Sequence, residues 1–505
     1  MRSKKALKNI IVSLFQQFIT IICGLILPRA IIKSYGSNVN GLISSITQFL
    51  AYIALLESGI GPVIKSVLYK PIAEKDKSQI EKILKSAQKF FNLIAYIFIA
   101  YLMVLCIVYP RLVNSEFSIW YTISLLLIIS ISTFAEYFFG MVYKVYLQAE
   151  QKTYITAGIQ AISTVLNTIV CIVLIKLGSS IQLVKLVSAI IFVLRPVVQN
   201  IYVKKKYNIN LKNVKGQYEL KQKWDGLAQH IASVIHENTD IAVLTIFSTT
   251  VEVSVYTVYL FVVKGVKNLV QSLTGGIDAS FGDMYAKKEY ESLNKSFKIY
   301  EFFYFSLVTI VFTCTICLIL PFIEVYTKGI TDANYYRPLF ACLIVLSEYM
   351  WAIRLPYNSL VLATGHFKET KKGAWFEAIS NIVISLILVN KYGIIGVTIG
   401  TLFAMIVRTI EFMYHTAKHI LKRKMNYAFM HLGVTTVETI VIFILANLII
   451  KNINFTSYLI WIRYAIIVAV VATIITFIVN SIIYKNQTKE FTKLIKKNFL
   501  KKGSN

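Results

Sequence analysis

Fourteen long apolar runs, separated by short loops that hold most of the charge, decide what this chain can become. They fall at about 8–33, 40–69, 89–110, 119–147, 154–177, 181–203, 225–248, 252–284, 297–323, 337–363, 373–390, 394–417, 432–450 and 458–484. A bilayer core takes about 20 apolar residues per helix. Lipid cannot satisfy an open backbone, so each run is expected to cross as a continuous helix. Runs longer than about 25 residues imply tilt or extension past the bilayer. Charged residues make up 15% of the 505, against about 25% in a soluble domain, which excludes a soluble globular fold. The chain reads as an all-α polytopic membrane protein.

A formal net charge of +28 would suggest a nucleic-acid partner in a soluble protein. Here the basic residues gather on one side. With the N-terminus inside, about 36 Lys and Arg lie in or near the inside loops and tails. The other side holds only Lys33, Arg111, Lys176, Lys328, Arg337, Lys391 and Lys451. That asymmetry places both termini and the basic interval 203–224 in the cytoplasm, and nucleic acid drops out as a partner. The N-terminus, MRSKKALKNIIVSLFQQF, starts as a signal peptide does, but its apolar stretch is too long and no small-residue cleavage site follows. It is expected to remain as the first spanning helix. The outer loops are too short for a catalytic domain, and no GxxxxGK[ST] phosphate loop is present, so no enzyme activity is expected. All six cysteines lie inside apolar runs, Cys314 and Cys317 within IVFTCTICLIL, and read as small buried hydrophobes.

The two halves echo each other. Gln160-Ala161-Ile162-Ser163 returns as Glu377-Ala378-Ile379-Ser380 and Gly59-Ile60 as Gly276-Ile277, both after 217 residues. Lys176-Leu177-Gly178 returns as Lys391-Tyr392-Gly393 after 215, and Arg195 as Arg408 after 213. Each unit holds six segments and starts on the same side, which makes the repeats parallel. The expected organisation is an N-terminal six-helix lobe over 1–203, a basic cytoplasmic linker over 204–224 and a C-terminal six-helix lobe over 225–420. Two additional helices over 421–484 and a basic cytoplasmic tail over 485–505 complete the chain. The tail reads as a topology anchor along anionic lipid.

An ionisable side chain within a spanning helix is costly unless paired or hydrated, so each is a functional candidate. Lys264, Lys267 and Gln271 share one helix face in segment 8. Arg195 and Arg354 stand beside Pro196 and Pro356 in segments 6 and 10, Arg29 follows Pro28, and Lys65 lies toward the inner end of segment 2. Together Arg29, Lys65, Arg195, Lys264, Lys267 and Arg354 would form a basic interior suited to a phosphate or pyrophosphate. The competing reading pairs some of them with Glu57, Glu136, Glu348 or Glu411. In segment 7, His236, Glu237 and Asp240 fall within one turn, and Glu377 and Asn381 of segment 11 are also one turn apart. Asp240, Glu377, Asn381 and Thr398 would supply oxygen ligands to a coupling cation, Na⁺ or H⁺, against a reading as structural pairs across the bundle. His415 and His419 have the spacing of metal ligands but no nearby carboxylate, and no metal or other cofactor is expected.

The whole pattern resembles the polysaccharide, or lipid-linked oligosaccharide, flippases of the multidrug/oligosaccharidyl-lipid/polysaccharide exporter superfamily. The resemblance rests on LPRAIIKSYGSNVNGL, LLESGIGPVIKSVLYK, NTDIAVLTIF, VYTVYLFVVKGVKNL and KYGIIGVTIGTLFAMIVR, and covers essentially the whole chain. It implies a V-shaped pair of six-helix lobes around a central cavity, plus two C-terminal helices, working by alternating access in a bacterial or archaeal plasma membrane. The implied cargo is an undecaprenyl-pyrophosphate-linked oligosaccharide, turned from the cytoplasmic to the outer leaflet. The implied partners are the bilayer, the polyprenyl-linked glycan, and polymerases and glycosyltransferases of the same pathway. Arg29 matches the family's segment 1 arginine and Asp240 its segment 7 aspartate, while Lys264 and Lys267 stand where relatives more often carry arginine. A multidrug cation antiporter of the same fold is the alternative, but it has twelve helices and a cavity of the opposite sign. A glycan polymerase or ligase would need an outer platform, and a scaffold without transport leaves the intramembrane charges unexplained. The linker over 204–224 is expected to tether the lobes while they rock.

Overall fold

The computed structural model describes residues 2–57, 60–113, 116–211, 214, 218, 238–272, 277–366 and 369–489, and every regular element among them is helical. Thirteen of these helices are long and apolar enough to cross a membrane, and Asn238–Phe247 is a shorter apolar helix within the expected seventh span. About fourteen crossings therefore agrees with the sequence.

The chain groups into two compact units, Met1–Thr257 with Ile330–Ala333, and Val258–Gly329 with Asn334–Asn505. The first contains α1 (Arg2–Tyr35), α2 (Ser37–Ala51), α3 (Ala54–Glu57), α4 (Ile60–Glu74), α5 (Lys77–Leu112) and α6 (Ile119–Ala135). A π-helical turn, Glu136–Gly140, runs on into α7 (Met141–Ala149), followed by α8 (Thr153–Lys176) and α9 (Ile181–Tyr207). It closes with α10 (Asn238–Phe247) and the first turns of α11 (Thr250–Ser272). Asp76, Ser118 and Ser180 cap α5, α6 and α9 by accepting from Gln79 N (3.0 Å), Tyr121 N (3.3 Å) and Leu183 N (3.4 Å), the usual chemistry for orphan N–H groups. Phe91, Phe98, Leu125 and Leu126 fill its core. Ile10, Phe15 and Phe18 stand exposed on α1, as a surface solvated by lipid requires.

The second unit comprises the rest of α11, then α12 (Ile277–Ala286), α13 (Tyr290–Tyr326), α14 (Pro338–Ala363), α15 (Lys371–Tyr392) and α16 (Ile394–His415). A second π-helical turn, Thr416–Ile420, leads to α17 (Asn426–Ile450) and α18 (Tyr458–Ile483). Phe297, Phe305, Phe312 and Tyr357 are buried at its centre.

The internal echoes have structural counterparts. Gly178 and Gly393 both take positive φ, +72° and +53°, and each turns one long helix into the next. Two turns before each glycine sits a matching staple. Cys171 Sγ contacts Asn167 Oδ1 (3.4 Å) and Val184 O (3.8 Å), and Ser385 Oγ contacts Asn381 Oδ1 (3.0 Å) and Val397 O (3.3 Å). Both glycines of the echo Gly59-Ile60 and Gly276-Ile277 lie outside the described residues.

One expectation is corrected here. The second apolar run is not one continuous helix: a turn at Tyr52–Ile53 separates α2 from α3. Side chains satisfy what the break releases: the Tyr101 hydroxyl donates to Phe49 O at 2.9 Å. Of the linker, Asn208 ends α9 at φ +50°, and the segment returns along α5 through Asn210 N to Glu81 Oε1 (3.0 Å) and Lys85 Nζ to Leu211 O (2.8 Å). Most of 204–224 and the first half of the seventh run lie outside the described residues.

Candidate functional site

The first unit holds a polar cavity of about 500 Å³. Ser13 and Gln16 of α1, Glu57 of α3, Ser132 and Thr133 of α6, Gln148 of α7, Thr153, Thr156 and Gln160 of α8, and Arg195 and Gln199 of α9 line it. The π-helical turn adds Glu136 and Tyr137, and such turns interrupt helices most often at functional sites. Gly140 allows this turn to lie against α9, since a Cβ there would come within 2.7 Å of Pro196 Cβ.

Charge in the cavity is balanced. Lys144 Nζ lies 3.2 Å from Glu136 Oε1, and the Tyr137 hydroxyl donates to Glu57 Oε2 at 3.0 Å. Arg195 lies over the Phe192 ring at 4.0 Å and donates through Nη2 to Thr164 Oγ1 at 3.2 Å. Its Nε and the Gln199 Oε1 are buried with no hydrogen-bond partner among the described residues, and Gln199 is only 5% exposed.

A polar seam joins α2 to α10 and the start of α11 within the same unit. Ser45 Oγ meets Thr245 Oγ1 at 2.7 Å and accepts from the Tyr109 hydroxyl at 2.7 Å. Asn40 Nδ2 donates to Ser254 Oγ at 2.8 Å, Thr250 bonds Asn38, Gln48 bonds Asn238, and the Tyr52 hydroxyl donates to Asn238 O at 3.0 Å. Gly41 lets the backbones touch, because a Cβ there would strike the Thr250 carbonyl. Asp332, reaching from the connection between α13 and α14, accepts from Ser37 N (2.6 Å) and Ser37 Oγ (2.8 Å) at the start of α2.

In the second unit most of the expected basic path is neutralised. Lys267 Nζ lies 3.1 Å from Glu348 Oε2 and 4.0 Å from the Trp351 ring centroid. That ion contact lacks hydrogen-bond alignment, since Glu348 Oε2 has no hydrogen-bond partner. Arg354 Nη1 lies 2.6 Å from Glu377 Oε1, and Arg408 reaches Glu377 Oε2 (3.4 Å), Glu411 Oε2 (2.6 Å) and Thr370 O (2.8 Å). Of the remaining expected cations, Arg29 and Lys65 are half-buried in the first unit and Lys264 half-buried in the second.

The coupling-ion set fares similarly. Glu377 is shared by two guanidinium groups, so its carboxylate is not open to a cation. Asn381 is the staple partner of Ser385, with the same geometry as Asn167 in the first repeat, and Thr398 bonds Ile394 O at 2.7 Å. Asp240 belongs to the first unit, where it accepts from the Tyr256 hydroxyl at 2.6 Å. His236 and Glu237 lie outside the described residues. His415 and His419 stack at 4.9 Å, and His366 Nδ1 joins them 3.1 Å from His415 Nε2.

Sequence reasoning passed over Gln160, Gln199 and Tyr137, and took Glu57 and Glu136 only as partners for cations. Carboxamides in spanning helices were the signal for the first two. The π-helical turn that presents Glu136 and Tyr137 together has no sequence mark.

The sequence matches no family model and no curated protein. Solved structures do match. The lipid II flippase MurJ in an inward closed conformation aligns over 94% of this chain and 99% of its own, with a TM-score of 0.68 and 18% identity. An inward-facing multidrug resistance MATE family transporter of the MOP superfamily aligns over 85% and 99%, with a TM-score of 0.61 and 15% identity. A mutant of the Vibrio cholerae MATE transporter VcmN aligns over 84% and 98%, with a TM-score of 0.56 and 15% identity. The chain therefore has the fold that lipid II flippases and MATE transporters of the MOP superfamily share.

Proposed function

We propose that this protein is a flippase that turns an undecaprenyl-pyrophosphate-linked oligosaccharide from the cytoplasmic to the outer leaflet by alternating access. The observation that carries the reading is the cavity of the first unit. Its two carboxylates and two basic groups balance in number, Lys144 pairs with Glu136, the Tyr137 hydroxyl donates to Glu57, and hydroxyl and carboxamide groups make up most of the rest of its lining. Sugars are recognised by such groups, whereas an organic cation calls for unpaired carboxylates and open aromatic faces. Here the Phe192 face is already covered by Arg195. A volume of about 500 Å³ falls within the range of small-molecule sites. The alignment with a lipid II flippase over nearly the whole chain, against 85% for a MATE transporter, gives the same direction.

In this reading the protein is not an enzyme. It sits in a bacterial or archaeal plasma membrane with both termini in the cytoplasm, and its partners are the enzymes that build and polymerise the glycan. Arg195, with Arg29 and Lys65, supplies positive charge for the pyrophosphate. Lys267 and Arg354 serve chiefly to hold Glu348 and Glu377. The two six-helix lobes rock, and the seam at α2 closes the outer side, since it lies at the end of α1 away from the N-terminus. An ion gradient or the membrane potential drives the cycle.

The test is flipping of a fluorescent lipid-linked oligosaccharide in proteoliposomes. Arg195→Ala with Gln199→Ala should reduce the rate at least tenfold while the protein reconstitutes normally. Flipping at the wild-type rate, or transport of organic cations instead, would sink the proposal.

A further inference from the structure

Between α13, α14, α17 and α18 the second unit buries a column of polar side chains that the ion pairs above do not use. At one end Glu301 has no exposed surface, and its Oε1 accepts from Arg423 Nη2 and the Tyr357 hydroxyl, each at 2.5 Å. Glu301 Oε2 and Arg423 Nε and Nη1 are buried without a hydrogen-bond partner. Further along α17, the His431 ring lies flat on Tyr484, centroids 4.5 Å apart and planes 6° from parallel. His431 Nε2 and the Tyr484 hydroxyl are also unpartnered. Halfway along α17 stands Glu438, 1% exposed, with its Oε1 unpartnered.

The titratable groups turned toward Glu438 are Tyr349 from α14 and Tyr484 from α18. On α13 the nearest in level is Cys314, beside Thr313, whose hydroxyl bonds Thr439 at 3.2 Å, with Tyr304 and Glu301 further back, and on α17 itself His431 lies two turns back. Tyr349 lies within reach of the Thr309, Thr435 and Thr439 hydroxyls, and Thr476 brings a buried unpartnered hydroxyl from α18. No Lys or Arg pairs with Glu438 among the described residues. Beyond it the polar character stops: Ala446 and Ile450 pack with Cys317, Leu318, Val325, Phe455 and Val468 as an apolar cluster.

A lone ionised carboxylate at mid-bilayer costs several kcal/mol. Each buried donor or acceptor left unmade costs about 1–3 kcal/mol, which water relieves where polar partners are close together. From Tyr427 to Glu438 the helix rises about 16 Å, a distance spanned by side-chain relays and a few waters. We propose that the column is a proton half-channel ending at Glu438. A proton enters at the Arg423 end, passes by water, His431 and Tyr484, and converts the Glu438 carboxylate to the neutral acid. It leaves by the same path, because the apolar cluster closes the far end. Its use in driving transport rests on the transporter reading; the proton site itself does not.

The probe is the proton, with the full chain in lipid nanodiscs and no substrate. Infrared difference spectra across a pH titration should show a buried carboxyl band, and Glu438→Gln should remove it together with about one proton taken up per chain. His431→Phe, which keeps the ring stack, should retain the band and slow its deuterium exchange several-fold. A Glu438→Gln spectrum and proton count identical to wild type would overturn the half-channel. If that variant does not elute as a single species, Glu438→Asp takes its place: a shifted band supports the assignment and an unshifted one overturns it. Flipping is measured separately. Proton uptake without glycan flipping sinks the flippase reading alone, while a wild-type pH profile of flipping in Glu438→Gln shows that the site does not carry the coupling proton.

Discussion

Removing Lys267 alone should destabilise the second unit far more than removing it together with Glu348. The two groups lie 3.1 Å apart with side chains 10% and 9% exposed. At an effective dielectric of about 20, their attraction at that distance is about 5 kcal/mol, most of it offset by the cost of taking both charges out of water. Lys267→Met leaves Glu348 buried and uncompensated, a loss of about 3–5 kcal/mol. Lys267→Met with Glu348→Leu removes both charges and keeps the volume, so it should return to within about 1 kcal/mol of wild type. Unfolding in mixed micelles, read by Trp351 fluorescence because that ring lies 4.0 Å from the ammonium, gives the four corners of the cycle. The coupling energy should exceed about 2 kcal/mol. A value below about 0.5 kcal/mol would mean that the pair is not a buried unit, and Lys267 would again be free to meet a phosphate. Flipping measured on the double variant then separates the roles: activity retained assigns Lys267 to structure.

Three further outcomes follow from the geometry. Asp332→Ala removes two charge-assisted hydrogen bonds from the start of α2, each worth about 1.5–3 kcal/mol; a cysteine at Asn38 should then label faster from outside, and unchanged labelling would show that the contact holds nothing shut. Gly41→Val drives a side chain into the Thr250 carbonyl, so α2 and α11 should part and flipping should fall at least tenfold with little loss of folded protein, checked by reconstitution and rate. Gly393→Ala places a Cβ at φ +53° and should lower stability by about 1 kcal/mol; a stabilised variant in thermal unfolding would contradict the turn.

The helices were readable because lipid leaves one backbone solution for each long apolar run, and the repeat because its echoes fall at structural necessities. Gly178 and Gly393 mark turns that need positive φ. Pairing was not readable. Lys267 meets Glu348 across helices far apart in the chain, and Arg354 meets Glu377 across a helix-to-helix connection, and neither register can be read from spacing. A count of cations by segment therefore overstated the basic interior. The break in the second run carries no Pro, and the Phe49 carbonyl beside it accepts both from Tyr52 N and from the Tyr101 hydroxyl of another helix. Glu438 is a different case. The rule that flagged Lys264 applies equally to a single carboxylate in an apolar helix, but the six-plus-six pattern drew the reading away from the last two segments.

The repeats also separate what was copied from what diverged. Asn167 with Cys171 and Asn381 with Ser385 hold the same hairpin in both halves, so Asn381 is explained by architecture before any ligand is invoked. At the echoed arginines the halves part. Arg408 is saturated by Glu377, Glu411 and Thr370. Arg195 keeps an unpartnered Nε beside an unpartnered Gln199 in a cavity. Echoed positions thus serve as a strut in the second unit and carry an unpartnered hydrogen-bonding group in the first. A ligand site built on Arg195 needs no symmetric counterpart, and Arg408→Gln should lower stability without changing which glycan the protein accepts. A change in glycan preference in that variant, measured by competition in the flipping assay, would show that the second unit also touches the cargo.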